Sequence, residues 1–302
     1  MTALAVAFAL RAAGAGGGGT GIGAGSRGGT GFEGNPSYKI FADLPAKLDF
    51  AGEPVPLDNR DTRESLIREL LTTSYMHSRT FLTLLNSQRY FPVIRPILAD
   101  QGLPDDFIFL CMAESGLNPE AVSSAGAGGL WQLMPDVARQ YGLIVDNDID
   151  ERFHIEKATE AACKYIKSAY ARLGSWTYAA AGYNLGVAGI MTRISKQGTT
   201  SYYDTFFPEE TLRYIFRILS FKLLYSDPAR YGFVIPPDQY YCQLCDYKVE
   251  DVTGEQIDWP AEARSRGTTF KALRELNPWI RNYQYNNVKG YTFKVKFPLA
   301  GR

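Results

Sequence analysis

The chain has 302 residues, which suits one or two domains, and 45% of them are hydrophobic, enough for a sizeable core. Its 32 basic and 32 acidic residues give a formal net charge of zero. This balance argues against a nucleic-acid-binding protein, which usually carries a basic excess or a basic stripe. The 19 Tyr, 17 Phe and 4 Trp suit the flat faces of sugars, but for any single ring a place in the core is the better expectation.

The first 60 residues are predicted to form a leader and an arm. The apolar stretch 3–10 is too short to span a bilayer. It resembles the apolar part of a secretion signal, although no basic residue precedes it, and the glycine-rich run up to residue 34 is expected to be disordered. Residues 35–60 contain four prolines and are predicted to be an extended arm.

Helical spacing of apolar residues begins after Asp61, where Asp61-Thr-Arg-Glu64 has the form of a capping box. Further helices are predicted over 78–88, 92–101 with Pro92 at the first position, 105–115, 135–141, 155–173, 176–184, 186–197 and 209–226. Almost nothing up to residue 235 alternates with the period of a strand. Residues 61–235 are therefore predicted to form one all-α domain.

The pattern changes after Pro236-Pro237. Residues 240–249 and 291–297 alternate like strands, and residues 268–276 between them are predicted to form a short helix. The fold class is therefore mainly α, with a small α+β module over residues 236–302.

The four cysteines bear on metal and disulfide chemistry. Cys111 and Cys163 lie in apolar helical patterns and are expected to be buried thiols. Cys242 and Cys245 form a lone CxxC, whereas a zinc site normally needs a second ligand pair, and neither histidine stands at ligand spacing. We therefore expect no metal and no other cofactor, while a local disulfide stays open as an alternative in an oxidising compartment.

One acid, Glu114, stands at the end of the apolar helix predicted over 105–115. Apolar surroundings and the C-terminal end of the helix dipole both disfavour its charged form, so its pKa should be raised. A general acid that works near neutral pH needs such a pKa. From this segment alone, however, a helix-terminal Glu in solvent is the better interpretation.

Later segments of the sequence favour a catalytic role for Glu114 instead. Small residues before Pro135 let backbone approach a ligand closely, and Trp131 and Gln132 offer a flat face and an amide. The full set is Glu114-Ser115, Ser123, Gly129-Leu-Trp-Gln-Leu-Met-Pro135, Gly182-Tyr-Asn184, and Glu210-Thr211 with Tyr214. In this order and spacing, the motifs resemble the soluble lytic transglycosylase family, and within it the membrane-bound lytic murein transglycosylase D group.

The resemblance covers residues 40–235 and implies a goose-lysozyme-like fold in which Glu114 is the catalytic acid and base. It implies peptidoglycan glycan strands as the substrate and a place in the periplasm or cell envelope; a monomer is expected. The residues implied to bind substrate are Ser123 and Gln132 near the N-acetyl group of the reacting sugar, Met134 at the subsite floor, Tyr183 and Asn184 beside the acid, and Glu210 at the edge of the cleft. The chain departs from the family at Gly182, where an alanine is usual.

A single acid also bears on the reaction type. Most glycosidases use two carboxylates, yet only Glu114 has a motif around it. This favours a lyase that cuts the β-1,4 bond between N-acetylmuramic acid and N-acetylglucosamine and leaves a 1,6-anhydromuramic acid end. Two alternatives are a goose-type muramidase, which would use water and a second carboxylate, and a non-catalytic peptidoglycan-binding protein, against which the intact motifs argue.

The C-terminal module has a weaker resemblance. Residues 268–278 and 291–298 are similar to the second half of a LysM module, a class that binds glycans containing N-acetylglucosamine. The first half matches poorly, and the CxxC is foreign to it. We predict a degenerate LysM-like module, with a structural cap on the catalytic domain as the alternative.

Overall fold

Residues 44–299 are described by a computed structural model of the protein. The predicted leader at 1–34 and the predicted arm up to residue 43 lie outside these residues. In the remainder of the arm, β1 (Asp49–Phe50) and β2 (Glu53–Pro54) pair as a short antiparallel hairpin. The carboxylate of Asp106 accepts the backbone N–H of Ala51 in the turn at 2.6 Å, so this end of the arm is fixed to the helical part of the chain.

Eight α-helices follow in the described chain up to residue 226. They are α1 (Arg60–Tyr75), α2 (His77–Asp100), α3 (Phe107–Ser115), α4 (Pro135–Gln140), α5 (Ile155–Leu173), α6 (Trp176–Leu185), α7 (Val187–Gln197) and α8 (Glu209–Ser226). From α3 to α8, each helix begins and ends within two residues of its predicted bounds.

The first helix begins before the predicted capping box. Its N-cap is Asn59, whose side chain accepts the backbone N–H of Thr62 at 3.1 Å. Asp61 lies instead in the first turn, where a negative charge suits the helix dipole. The predicted cap at Asp61 is therefore wrong, because the preceding Asn already satisfies an N–H of the first turn.

The two helices predicted on either side of Pro92 form one continuous helix, α2, of 24 residues, so the predicted break is wrong. An interior proline removes a hydrogen bond and usually kinks or ends a helix. Here Pro92 and Pro96 are exposed, and so is Gln88, four positions before Pro92, so water can reach the carbonyls that lose their partners. The other side of α2 buries Ile94 and Leu98, which offsets the lost hydrogen bonds.

The third helix lies at the centre of the helical domain. Eight of its nine residues are buried, and the exception is Glu114. Helices α2 and α8 pack on either side of it, α1 packs on α8, and α5 packs on α2 and α6. The predicted burial of Cys111 and Cys163 is confirmed.

The segment between the helical domain and the C-terminal module lies along α2. The backbone N–H of Tyr241 donates to the carbonyl of Leu85 at 3.2 Å, and Arg89 donates to the carbonyl of Cys242 at 3.2 Å. The strand predicted from residue 240 therefore begins only at Tyr247, since the earlier residues bond to α2 instead of a sheet. Cys242 and Cys245 are exposed and unbridged.

The C-terminal module contains two small sheets and two short helices within the described residues. Its elements are β3 (Tyr247–Val252), β4 (Gln256–Asp258), α9 (Trp259–Ser265), α10 (Phe270–Leu276), β5 (Gln284–Asn286) and β6 (Phe293–Pro298). β3 pairs antiparallel with β6, and β4 with β5. The sequence did not predict α9, which is capped by Asp258 and has Pro260 in its first turn.

The core of this module includes residues from the helical domain. Trp259, Trp279 and Phe293 pack together in it with Ile149 and Phe153, which lie between α4 and α5. The predicted division at residue 236 stays a prediction. Among residues 44–299, no helix has the length and apolar character that a membrane span requires.

Candidate active site

Glu114 is the penultimate residue of α3, and the chain turns away directly after it. Gly116 ends the helix in the left-handed conformation, with φ of 61°, and its N–H donates to the carbonyl of Met112 at 2.9 Å. Thr83 of α2 donates to the carbonyl of Gly116 at 3.2 Å. These contacts hold the end of α3, where Glu114 is the one residue of the helix that is partly exposed.

The hydroxyl of Tyr214 on α8 donates a hydrogen bond to Oε1 of Glu114. Loss of solvation raises the pKa of Glu114 from its ordinary 4.5 to about 7. The hydrogen bond from Tyr214 and the positive charges of Arg217 and Arg79 act in the opposite direction, while the negative charge of Glu210 raises the pKa further. Near neutral pH, a large fraction of the Glu114 carboxyl is therefore protonated.

This pKa predicts the pH dependence of a reaction that uses Glu114 as an acid. Activity should fall as the pH rises through about 7, because the protonated form is lost. In Tyr214→Phe the Glu114 carboxylate loses a hydrogen-bond donor, so its pKa should rise. The pH at which activity falls should then be higher by about one unit. Rates of that reaction for wild type and variant between pH 5 and 9 would measure the shift, and an unchanged pH dependence would contradict the role of Tyr214.

Residues 117–133, named here the cleft loop, carry Ser123 and Gln132. Oγ of Ser123 accepts the N–H of Ala127 at 3.0 Å, which leaves its hydroxyl proton available to a ligand. The side-chain amide of Gln132 donates to the carbonyls of Ala121 at 3.0 Å and Gly129 at 2.8 Å. Both of its N–H groups are used within the loop, so Gln132 can offer a ligand only its Oε1, as an acceptor.

Trp131 does not offer a face to a ligand, contrary to the prediction. Its ring is fully buried, and Nε1 donates to the hydroxyl of Thr159 on α5 at 2.9 Å. Its carbonyl accepts the hydroxyl of Tyr183 at 2.7 Å. Burial and the negative charge of Glu114 both raise the pKa of the Tyr183 phenol well above its ordinary value. Through its hydrogen bond, Tyr183 joins α6 to the cleft loop.

The other predicted site residues are Asn184, Glu210 and Met134. Oδ1 of Asn184 accepts the hydroxyl of Thr211 on α8 at 2.8 Å, which leaves the NH₂ of Asn184 available as a donor. Glu210 accepts from Arg217 at 3.0 Å, and both side chains are about one quarter exposed, at 28% and 27%. Met134 is partly exposed at the N-cap of α4.

Sequence reasoning missed three contributors to the electrostatics and geometry of the site. Tyr214 was recognised only as part of a motif, and Arg217 and Arg79 were not singled out. A signal for two of them exists, because Glu210, Tyr214 and Arg217 follow one another at i, i+4 and i+7 and so share one face of α8. In residues 44–299, no group of three or more His, Cys, Asp or Glu side chains is placed to hold a metal ion.

A family model described as the transglycosylase SLT domain matches residues 93–206, which include Glu114, the cleft loop and Tyr183. Residues 93–206 of the chain are thus similar to the transglycosylase SLT domain. A second model, described as the soluble lytic transglycosylase C-terminal LysM-like domain, matches residues 248–301. The predicted fold class, a lysozyme-like helical domain with a small LysM-like α+β module, is confirmed, and so is the predicted family resemblance.

Two proteins that are similar to this chain have the same name, membrane-bound lytic murein transglycosylase D. The proteins from Escherichia coli K12 and Escherichia coli O6:H1 are each 28% identical over 184 residues, which cover 59% of this chain and 40% of the relative. The chain thus matches less than half the length of these curated relatives. A solved structure of an inactive mutant of lytic transglycosylase Slt from Pseudomonas aeruginosa aligns at 19% identity with a TM-score of 0.37, over 52% of this chain and 27% of that one.

Proposed function

We propose that the protein is a peptidoglycan lytic transglycosylase that cuts the β-1,4 bond between N-acetylmuramic acid and N-acetylglucosamine and leaves a 1,6-anhydromuramic acid end. The observation that carries the proposal is the Glu114 carboxyl, which stands at the end of a buried helix within an SLT domain and has a pKa raised to about 7. Such a group is protonated often enough near neutral pH to act as an acid, and its conjugate base is strong enough to act next as a base.

The proposed reaction has two proton transfers through one carboxyl. Glu114 first donates its proton to the bridging oxygen as the bond from that oxygen to C1 of N-acetylmuramic acid breaks. The N-acetyl carbonyl assists at C1. The Glu114 carboxylate then takes the proton of the C6 hydroxyl as that oxygen bonds to C1. Atoms balance without water, and the acid is restored.

The other predicted residues are assigned roles that their free hydrogen-bonding groups allow. The hydroxyl proton of Ser123 and the NH₂ of Asn184 would donate to oxygens of the reacting sugar, and Oε1 of Gln132 would accept from its N–H or a hydroxyl. Tyr183 would close the cleft beside Glu114, and Met134 would line the subsite floor.

A second carboxylate, which a hydrolase would need to activate water, finds no support in this geometry. The nearby acid Glu210 is held by the guanidinium of Arg217 at 3.0 Å. Oε1 of Glu210 is therefore occupied by this partner. This arrangement supports the lyase over the muramidase.

The reaction type is tested by the mass of the products. Purified sacculi digested with the full chain should release disaccharide–peptides that end in 1,6-anhydromuramic acid, lighter by one water than hydrolysed fragments. Reducing ends with the mass of the hydrolysed product would assign a muramidase. Glycan that binds and sediments with the protein but stays uncut would assign a binding protein. We further propose that the protein acts in the periplasm or at the cell envelope, where this substrate lies.

A further inference from the structure

The C-terminal module contacts the helical domain next to the cleft loop. The N–H of Asp150 donates to the carbonyl of Trp279 at 2.9 Å, and the N–H of Arg281 donates to the carbonyl of Asp148 at 2.8 Å. Ile149 and Ile280 form an antiparallel bridge between these bonds. Segment 148–150 is therefore paired with the module as one strand is paired with another.

This pairing continues into the cleft loop through one buried ion pair. Nη2 of Arg152 lies 2.6 Å from Oδ2 of Asp150, and both side chains are buried. Nη1 of the same arginine donates to the carbonyls of Gly126 at 2.6 Å and Leu133 at 3.2 Å. The module thus fixes Asp150, and Asp150 orients Arg152. Arg152 in turn holds both ends of the 126–133 segment.

A second connection reaches the loop directly from the module. Nη2 of Arg274 lies 3.1 Å from Oε1 of Glu120, and Nη1 of Arg281 lies 3.7 Å from the same oxygen. Both arginines are also anchored on their own module: Arg274 donates to the carbonyl of Ile280 at 2.9 Å and Arg281 to that of Pro278 at 3.1 Å. The two guanidinium groups are therefore held in place to receive Glu120.

Glu120 directly precedes Ala121, a residue whose carbonyl helps to orient Gln132. The next carbonyl, that of Ala121, accepts the N–H of Gly129 at 2.9 Å and the side-chain amide of Gln132 at 3.0 Å. A shift of Glu120 would move this carbonyl and weaken one of the two hydrogen bonds that orient the Gln132 amide. Ser123 lies three residues after Glu120 on the same loop.

We propose that Arg274 and Arg281 of the LysM-like module are positioning residues for the cleft, because they hold Glu120 and thereby the loop that presents Ser123 and Gln132. The module then contributes to turnover itself and does more than retain the enzyme on glycan. This inference rests on the proposed function, since turnover is its readout.

The test uses the full chain and a soluble peptidoglycan tetrasaccharide, alongside intact sacculi. Arg274→Gln/Arg281→Gln should lower kcat on the tetrasaccharide by about fivefold. Glu120→Gln should reproduce this loss, and the triple variant should be no slower than the double arginine variant, because the contact with Glu120 is already absent there. A matched control, Lys271→Gln/Lys294→Gln, removes two positive charges from exposed sites of the module and should leave kcat unchanged.

Two results would overturn the proposal. One is wild-type kcat on the tetrasaccharide in both Arg274→Gln/Arg281→Gln and Glu120→Gln. The other is a loss confined to intact sacculi and accompanied by weaker sedimentation with them, which would make the module a tether. If the wild type cleaves neither substrate, the proposed function fails instead, so the two failures are distinguishable. Should the double arginine variant unfold, Glu120→Gln still decides, because that side chain is 53% exposed and not part of a core.

Discussion

Replacing Glu114 by Gln is expected to slow the release of glycan fragments from sacculi by about a thousandfold or more. Gln has the shape of Glu and can still accept the hydrogen bond from Tyr214, but it can neither donate a proton to the bridging oxygen nor remove one from the C6 hydroxyl. Binding of the variant to sacculi should remain. Full activity in Glu114→Gln would remove the residue from the mechanism.

The same variant should differ from wild type in stability in a pH-dependent way. The pKa of Glu114 is about 7 in the folded protein and 4.5 as its ordinary value, so the folded state holds the proton more tightly than the unfolded state. The free energy of unfolding of the wild type therefore falls as the pH rises from about 4.5 to 7. Gln does not titrate, so Glu114→Gln should be the more stable protein at pH 8, by up to about 3 kcal/mol, with a smaller difference at pH 5.

A matched control separates this effect from a general response to a lost charge. Glu64 on α1 pairs with Arg60, and both side chains are exposed, at 60% and 85%. Glu64→Gln should leave activity unchanged and alter stability little at either pH. Denaturant titrations of the three proteins at pH 5 and pH 8, with sacculus digestion in parallel, provide the measurement. A loss of activity in Glu114→Gln together with lower stability at both pH values would point to misfolding and contradict the assignment.

Gly129→Ala is expected to destabilise the cleft loop more than any other small change in it. A Cβ at this position would lie 1.9 Å from the carbonyl oxygen of Arg152, and φ of 76° is itself unfavourable for alanine. The carbonyl cannot move freely, since Arg152 lies between buried residues and its side chain holds Gly126 and Leu133. We expect the free energy of unfolding to fall by about 4 kcal/mol or more, with loss of glycan cleavage.

Gly126→Ala is the control for backbone strain alone. Gly126 has a similar φ of 84°, but a Cβ there would meet nothing within 4 Å. This variant should lose only about 1–2 kcal/mol. Thermal unfolding and sacculus digestion of both variants would compare the effect of backbone strain in Gly126→Ala with the combined effect of strain and a steric clash in Gly129→Ala. Equal losses in the two proteins would show that the approach of Arg152 to Gly129 has no effect on stability.

The helices could be predicted from the sequence because each carries an apolar face with helical spacing, and this pattern is local. Pro92 misled the prediction because a helix can continue through a proline where water can hydrate the carbonyl that loses its partner. Whether Gln88 is exposed depends on how α2 packs on the rest of the domain. The predicted cap at Asp61 failed for a different reason, since two candidate caps stand two residues apart and propensity alone does not choose between Asn59 and Asp61.

The site was accessible to sequence reasoning only in part. Glu114 and the motif residues could be named, and their roles stay predictions. The contact between Tyr214 and Glu114 joins residues 100 positions apart, and no local pattern encodes such a contact. The burial of Trp131 likewise depends on Thr159, 28 residues later on α5. Contacts between distant segments thus decide which groups surround Glu114. They also decide which aromatic side chains remain exposed.

The sharing of one apolar core by two parts of the chain has a thermodynamic consequence. Ile149 and Phe153 lie between α4 and α5 yet are buried among Trp259, Trp279 and Phe293 of the module. If the module detached, these two side chains would be exposed to water, and the ion pair that braces the cleft loop would lose its cover. The helical domain and the module should therefore melt as one cooperative unit, with a single heat-capacity peak whose calorimetric and van't Hoff enthalpies agree.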